Sequence, residues 1–96
     1  MARVLVLIRF TQHGVKAIKN SPARARAFAA FARKAGVAVE AQYWTLGSRD
    51  GFLVLSAPKE AAILHCVTEL AAKGNIHTET LPALDESQFK RILAGK

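Results

Sequence analysis

The sequence predicts an α+β domain in which two helices cover one face of a four-stranded antiparallel sheet. Two β-rich segments flank a short turn between Gly47 and Gly51, and this pattern is typical of a β-hairpin. A strand-like segment and then a helical one precede the hairpin, and a helical segment and then a strand-like one follow it. The resulting order, β-α-β-β-α-β, is that of the ferredoxin-like fold.

The segments before the hairpin define a strand, a helix and an edge strand. Arg3–Phe10 is predicted to be a strand, and its continuous apolar run, Val4–Ile8, indicates that it is buried in the middle of a sheet. Thr11 is expected to cap a short helical turn, and Ser21 to cap the main helix, with Pro22 in its first turn. The alternation of apolar and polar residues over Val37–Leu46 predicts a half-exposed edge strand.

The segments after the hairpin turn mirror this arrangement. Phe52–Ala57 is a second continuous apolar strand, and Pro58 opens the next helix. Ile76–Leu81 alternates, as expected of the other edge strand. A capping-box pattern at Asp85 and Gln88 predicts a last short helix.

These strands fit the order 4-1-3-2, with the apolar strands at the centre. Both helices then lie on one face, because each crossover is right-handed. If Val4 and Val6 face the helices, the opposite, open face carries Leu5, Leu7 and Arg9. An exposed apolar face indicates association, and we expect a homodimer or a higher even oligomer formed by two sheets packing together.

Three segments of the chain resemble the GYD domain family. Residues 43–47 read Tyr-Trp-Thr-Leu-Gly, residues 74–81 read Gly-Asn-Ile-His-Thr-Glu-Thr-Leu, and residues 10–22 are similar to the family's N-terminal pattern. The resemblance covers residues 4–93 and implies a ferredoxin-like domain related to the dimeric α/β barrels, without implying a reaction. Arg49 stands where the family's Gly-Tyr-Asp has its aromatic residue. Asp50 keeps the acid, and we expect it to cap the hairpin loop.

Length, charge and cysteine content restrict the class of protein. The 96 residues fit one domain, 1–96, and no segment approaches the about 20 apolar residues of a membrane span. Cys66 is the single cysteine, so no internal disulfide forms and a reducing, cytoplasmic location is expected. Residues 1–39 carry eight basic and no acidic residues, whereas residues 40–96 carry six basic and seven acidic ones. This asymmetry fits either a solvated helix face or a surface for anions.

Polar and aromatic side chains from three strands are expected to meet on the open face. These candidate ligand-binding residues are Arg9, Glu40, Gln42, Trp44, His77 and Glu79. Such a cluster suits a small anionic molecule held by Arg9, or an enzyme in which His77 or Glu79 transfers a proton. The structural alternative is a cross-strand ion pair between Arg9 and Glu79 at a subunit interface. Trp44 would be an interface anchor or an aromatic wall.

No cofactor and no metal ion are expected. His13, His65 and His77 lack the spacing of metal motifs, and His65 is expected to pair with Glu69 on a helix surface. No phosphate-binding loop or nucleotide-binding fingerprint occurs. Cys66 falls on a buried helical stripe, which predicts a core residue and not a nucleophile.

Nucleic-acid binding is disfavoured. The RNA-binding version of this fold stacks bases on aromatic side chains of the central strands. Here Leu5, Leu7, Leu53 and Leu55 are expected at those positions. Non-specific and strongly salt-dependent binding of nucleic acid remains an alternative. It would use the basic residues of the first half of the chain, Lys16, Lys19, Arg24, Arg26 and Arg33.

Overall fold

The computed structural model describes all 96 residues, Met1–Lys96. The elements are β1 (Ala2–Phe10), α1 (Gln12–Lys16), a 3₁₀ turn (Ile18–Asn20), α2 (Ser21–Lys34), β2 (Ala38–Trp44), β3 (Gly51–Ala57), α3 (Glu60–Ala72), β4 (Ile76–Pro82) and α4 (Glu86–Leu93). The sheet is antiparallel throughout, in the order β2-β3-β1-β4. This is the predicted order read from the other edge, and it confirms the ferredoxin-like α+β fold.

The core lies between one face of the sheet and the helices α2 and α3. Its eleven buried apolar residues are Val4, Val6, Phe28, Ala32, Val37, Leu53, Leu55, Ala57, Ile63, Cys66 and Val67. Val4 lies opposite Leu55 and Val6 opposite Leu53, so all four side chains project to the helix side. Because both α2 and α3 contribute to this cluster, both crossovers lie on the same face.

The open face of the sheet has no covering element within the chain. It carries Leu5, Leu7, Ala41, Tyr43, Phe52, Val54 and Leu81. The rings of Tyr43 and Phe52 stack there with their centroids 5.4 Å apart. The expectation that Leu53 and Leu55 lie on this face is wrong, because a continuous apolar strand gives no signal for which alternate residues point inward. Those two leucines therefore do not disfavour base stacking, and the absence of nucleic-acid binding stays a prediction.

A β-bulge interrupts β2. Val39 pairs with Leu55 and Ala41 pairs with the preceding residue, Val54, so Glu40 is an extra residue between two paired positions. An extra residue reverses the alternation of side chains beyond it. Val39 therefore packs against the core, whereas Ala41 lies on the open face.

This bulge moves two of the predicted site residues to the other side of the sheet. Gln42 pairs with Leu53 and Trp44 pairs with Gly51, so both lie on the helix side. The uninterrupted alternation read from the sequence placed them on the open face, and this prediction is wrong. Tyr43 takes the open-face position instead.

The two predicted caps near the N-terminus have different outcomes. The Thr11 hydroxyl accepts a hydrogen bond from the Gly14 N–H at 3.0 Å, which confirms the cap of α1. Ser21 is not the cap of α2: it is the first residue of the helix, and Asn20 precedes it without a side-chain cap. The Ser21 hydroxyl instead accepts a hydrogen bond from Trp44 Nε1 at 3.0 Å.

Asp50 fastens the hairpin loop to β1. Its Oδ2 accepts a hydrogen bond from the Phe10 N–H at 2.7 Å, and its own N–H donates to the Ile8 carbonyl at 2.8 Å. Within the loop, the Thr45 N–H donates to the Asp50 carbonyl at 2.9 Å. The Asp50 carboxylate thus bonds to a neighbouring strand, where a cap of its own loop was expected.

The helix α4 carries no buried residue. The predicted capping box is present, with the Asp85 side chain bonded to the Gln88 N–H and the Gln88 side chain bonded to the Asp85 N–H. A three-residue segment, 83–85, separates α4 from β4. None of the helices combines the length and the apolar character that crossing a membrane requires.

Candidate functional site

The six predicted ligand-binding residues occupy three separate places. Arg9, His77 and Glu79 lie together on the open face, Glu40 lies at the opposite end of β1, and Gln42 and Trp44 lie on the helix side. The structure therefore supports no single site formed by all six. Two distinct hollows result, one on each side of the sheet.

The first is a shallow hollow of about 130 Å³ on the open face, which we call the open-face hollow. Arg9 lies directly opposite His77, and Leu7 lies opposite Glu79. Arg49 reaches over from the hairpin loop, and its Nη2 donates to Glu79 Oε1 at 2.9 Å. The expected pair between Arg9 and Glu79 does not form, because Arg49 is the partner of that carboxylate. Sequence reasoning missed this role of Arg49, since no local pattern links a loop residue to the far edge strand.

A second ion pair lies on the same face at the other end of β1. Arg3 Nε and Nη2 donate to the two carboxylate oxygens of Glu40, both at 3.0 Å. This bidentate hydrogen bonding by Arg3, with Ser56 as a second donor, lowers the pKa of Glu40. The same hydrogen bond raises the pKa of Arg3. Both carboxylate oxygens of Glu40 thus accept hydrogen bonds from Arg3, away from the other predicted site residues.

The second hollow is a larger cleft of about 310 Å³ between the helices and the sheet, which we call the helix-side cleft. Its wall is mainly apolar and includes Phe10, Phe28, Phe31, Leu70 and Ile76. Gln42 and Trp44 belong to this wall because of the bulge in β2. Ser21 also lines the cleft, and the hydrogen bond that it accepts from Trp44 holds the indole ring at the edge of the cleft.

Arg24 is a partly buried charged residue in the wall of the helix-side cleft. Its Nη1 donates to the Ala17 carbonyl at 3.0 Å, whereas its Nη2 is buried and has no hydrogen-bond partner. Asp50, Glu69 and Lys73 also line the cleft. The wall therefore combines a large apolar surface with two cations and two carboxylates.

The remaining candidate residues do not come together in a further site. His65 forms no ion pair with Glu69, which corrects the expected pairing, and its ring lies 6.1 Å from that of Phe31. Cys66 is fully buried, as predicted, and burial raises the pKa of its thiol. No cluster of three or more His, Cys, Asp or Glu side chains could hold a metal ion.

These features define a small ferredoxin-like α+β domain with an uncovered apolar sheet face and a cleft beneath its helices. The chain belongs to the GYD domain family, whose model matches residues 5–93. It is similar to a protein of Thermus thermophilus described as "Glutamine synthetase and cystathionine beta-lyase binding protein". The two are 32% identical over 85 residues, which cover 88% of this chain and 90% of the relative. No solved structure matches the chain.

Proposed function

We propose that this protein binds other proteins, and that it does so as a homodimer or a higher even oligomer. The observation that carries the proposal is the similarity to the Thermus relative, whose description names two enzymes that it binds. The similarity extends over nearly the whole of both chains, 88% of this chain and 90% of the relative. The proposed partners are the glutamine synthetase and the cystathionine β-lyase of the organism from which this chain comes.

Two uncovered apolar surfaces support a protein-binding role. One is the open face of the sheet. The other is the apolar stripe of α4, formed by Phe89, Ile92 and Leu93, which are 51%, 53% and 71% exposed. The spacing i, i+3, i+4 puts these three side chains on one side of the helix. Monomeric proteins rarely leave large contiguous apolar patches in water, because burying apolar surface is favourable.

We assign the open face to self-association. Sheets pack face to face at a spacing of about 10 Å, and a two-fold axis brings the same apolar residues of both copies together. The ion pairs Arg3–Glu40 and Arg49–Glu79 lie at opposite ends of the strands. They would form the polar margin that commonly surrounds the apolar centre of an interface.

We assign the apolar stripe of α4 to the partner enzymes. An amphipathic helix that docks its apolar side in a groove is a recurring mode of protein recognition. The capping box at Asp85 and Gln88 stabilises the start of α4 in the unbound protein. A preformed helix loses less conformational entropy on binding than a disordered segment does.

The test is the affinity of each purified enzyme for the immobilised protein, measured by biolayer interferometry, with the oligomeric mass measured by light scattering. The double variant Phe89→Ser/Ile92→Ser is expected to weaken enzyme binding at least tenfold and to leave the oligomer intact. Tyr43→Lys/Leu81→Lys is expected to dissociate the oligomer, because a buried interface disfavours unpaired charges. Leu64→Ser, which removes an exposed apolar side chain of α3, is the matched control and should change neither quantity.

The outcomes separate the two assignments. Wild-type protein that binds neither enzyme would contradict the proposed partners. Dissociation of the oligomer by Phe89→Ser/Ile92→Ser would reassign α4 to self-association. An unchanged oligomer in the Tyr43→Lys/Leu81→Lys variant would remove the open face from that role.

A second candidate function is binding of a small anion in the open-face hollow. Arg9 and Arg49 both line this hollow, beside His77 and Glu79. Isothermal titration of the wild type and of Arg9→Ala with inorganic phosphate tests it, and heat that Arg9→Ala abolishes would support the site. If the protein also catalyses a reaction of the bound anion, Glu79→Gln should abolish this turnover and leave the binding of the anion unchanged. Dissociation of the oligomer by both variants, without any heat of binding in the wild type, would leave only a structural role.

A further inference from the structure

We propose that the helix-side cleft binds a small amphipathic anion, with an apolar body of one or two rings and a single carboxylate-type group. The cleft lies on the helix side of the sheet, and its wall shares only Tyr43 and Phe52 with the open face. The proposal does not depend on the proposed protein-binding function. Three properties of the cleft support it: its volume, the aromatic character of its wall and the unpartnered guanidinium nitrogen of Arg24.

The volume is that of a ligand pocket. Well-packed cores leave few voids larger than a water molecule, whereas small-molecule pockets begin at roughly 300 Å³. The helix-side cleft measures about 310 Å³. Ring-bearing side chains from β1 and α2 line it, namely Phe10, Phe28 and Phe31, and Leu70 and Ile76 complete the apolar wall. Such a wall favours a flat or branched apolar body over a polar one.

Trp44 forms the accessible edge of this cleft. The side chain is 51% exposed, and its Nε1 donates to Ser21 Oγ at 3.0 Å. This hydrogen bond satisfies the polar end of the indole and leaves its ring available for stacking. Gln42 adds a neutral amide to the same wall. Without the bulge in β2, both side chains would lie on the other side of the sheet.

Arg24 determines the charge of the ligand. Its Nη2 is the one buried side-chain nitrogen or oxygen in the chain that lacks a hydrogen-bond partner. A buried charged donor without an acceptor costs free energy, and an anionic oxygen would supply the acceptor. A carboxylate-type group beside Arg24 is therefore the complementary ligand group.

The other charges of the wall limit the ligand to one anionic group. Asp50 and Glu69 line the cleft and repel further negative charge, and Lys73 is the second cation. The Asp50 carboxylate already accepts the Phe10 N–H at 2.7 Å. A polyanion such as a nucleoside triphosphate is thereby disfavoured.

Two fluorescent probes that share an aromatic body test the site in the full chain. 1-Anilinonaphthalene-8-sulfonate carries one anionic group, and N-phenyl-1-naphthylamine carries none. We expect saturable binding of both with one probe per chain, accompanied by a change in the emission of Trp44, the single tryptophan. Arg24→Gln should lower the affinity for the sulfonate probe at least tenfold and the affinity for the uncharged probe less than twofold.

A pair of substitutions on α2 localises the probes. Ala27 lines the cleft and is exposed, so Ala27→Phe should be tolerated and should block both probes. Ala30→Phe, on the same helix but outside the cleft wall, is the matched control and should bind both as the wild type does. Circular dichroism and the unfolding midpoint verify that each variant is folded.

Three results would overturn the proposal. The first is the absence of saturable binding in the wild type. The second is probe binding that survives Ala27→Phe and is lost in the open-face variant Leu81→Lys, which lies outside the cleft wall. The third is an equal loss of both probes in folded Arg24→Gln, which would remove the anionic group from the ligand class.

Discussion

Gly14 joins the turn after β1 to the start of β4 through a contact that admits no side chain. A Cβ atom at this position would overlap the carbonyl oxygen of Asn75. Thr11 fastens the same two segments, since its N–H donates to the Asn75 carbonyl at 3.1 Å and its hydroxyl donates to the Gly74 carbonyl at 2.7 Å. These residues hold one end of the helix-side cleft, where Asn75 and Ile76 line the wall.

Gly14→Ala is therefore expected to destabilise the protein by about 2 kcal/mol, because the backbone must move to accommodate the methyl group. Urea denaturation followed by circular dichroism measures this free energy of unfolding. Gln12→Ala, at an exposed position of the same helix, is the control and should change it little. A Gly14→Ala variant as stable as the control would contradict the contact.

The Arg3–Glu40 pair predicts a specific pH dependence of stability. Hydrogen bonding by Arg3 lowers the pKa of Glu40 below its unperturbed value of 4.5. A carboxyl group whose folded-state pKa is lowered stabilises the fold at pH values above the unfolded-state pKa, and this contribution is lost as the pH falls through the folded-state pKa. The difference in unfolding free energy between wild type and Glu40→Gln should thus be constant near neutrality and shrink below about pH 4.5. A difference that does not vary between pH 7 and pH 3 would contradict this assignment.

Among the elements, β2 shows what periodicity can and cannot predict. Its alternation identified an edge strand, but one extra residue, Glu40, changed which side Gln42 and Trp44 occupy. Nothing in the local sequence marks that residue as unpaired. The same limit applies to β3, where a run without polar residues identifies a central strand and leaves the direction of Leu53 and Leu55 undetermined. The helix-side cleft could not be predicted, because the sequence does not determine on which side of the sheet these side chains lie.

Other elements were predictable because their signals are local or strictly periodic. Thr11 and the pair Asp85 and Gln88 occupy positions where short polar side chains satisfy the free N–H groups of a helix start. Cys66 lies on the helical stripe that faces the sheet, and it is fully buried. The Arg49–Glu79 pair, in contrast, joins residues 30 positions apart, and its formation depends on the path of the hairpin loop.

The helix α4 should behave as a locally stable, separate element. Asp85→Ala removes one half of the capping box and should weaken the helix by about 1 kcal/mol. Amide hydrogen exchange over Glu86–Leu93 should accelerate roughly five-fold, whereas global unfolding should be unchanged, because α4 contributes no buried residue. Ser87→Ala, in the first turn of the same helix, is the control. Global destabilisation by Asp85→Ala would show that α4 packs against its own chain.

At the scale of the whole molecule, the protein is more elongated than a compact domain of the same length. The principal extents are 47 × 31 × 19 Å, and the radius of gyration of 14.2 Å exceeds the about 12.5 Å expected for a compact domain of this length. The elongated shape, the uncovered sheet face and the unburied α4 are the features that support the proposed association with other chains. Two such subunits packed through their sheets would cover the open face of each and leave both α4 helices available.

Native mass spectrometry of the protein, alone and mixed with each purified enzyme, is the decisive test of protein binding. For the protein alone we expect masses at even multiples of the 10.4 kDa chain. With glutamine synthetase or cystathionine β-lyase, we expect a complex heavier than the enzyme by an even number of chains. A monomer that leaves the mass of both enzymes unchanged would contradict both the oligomer and the protein-binding function.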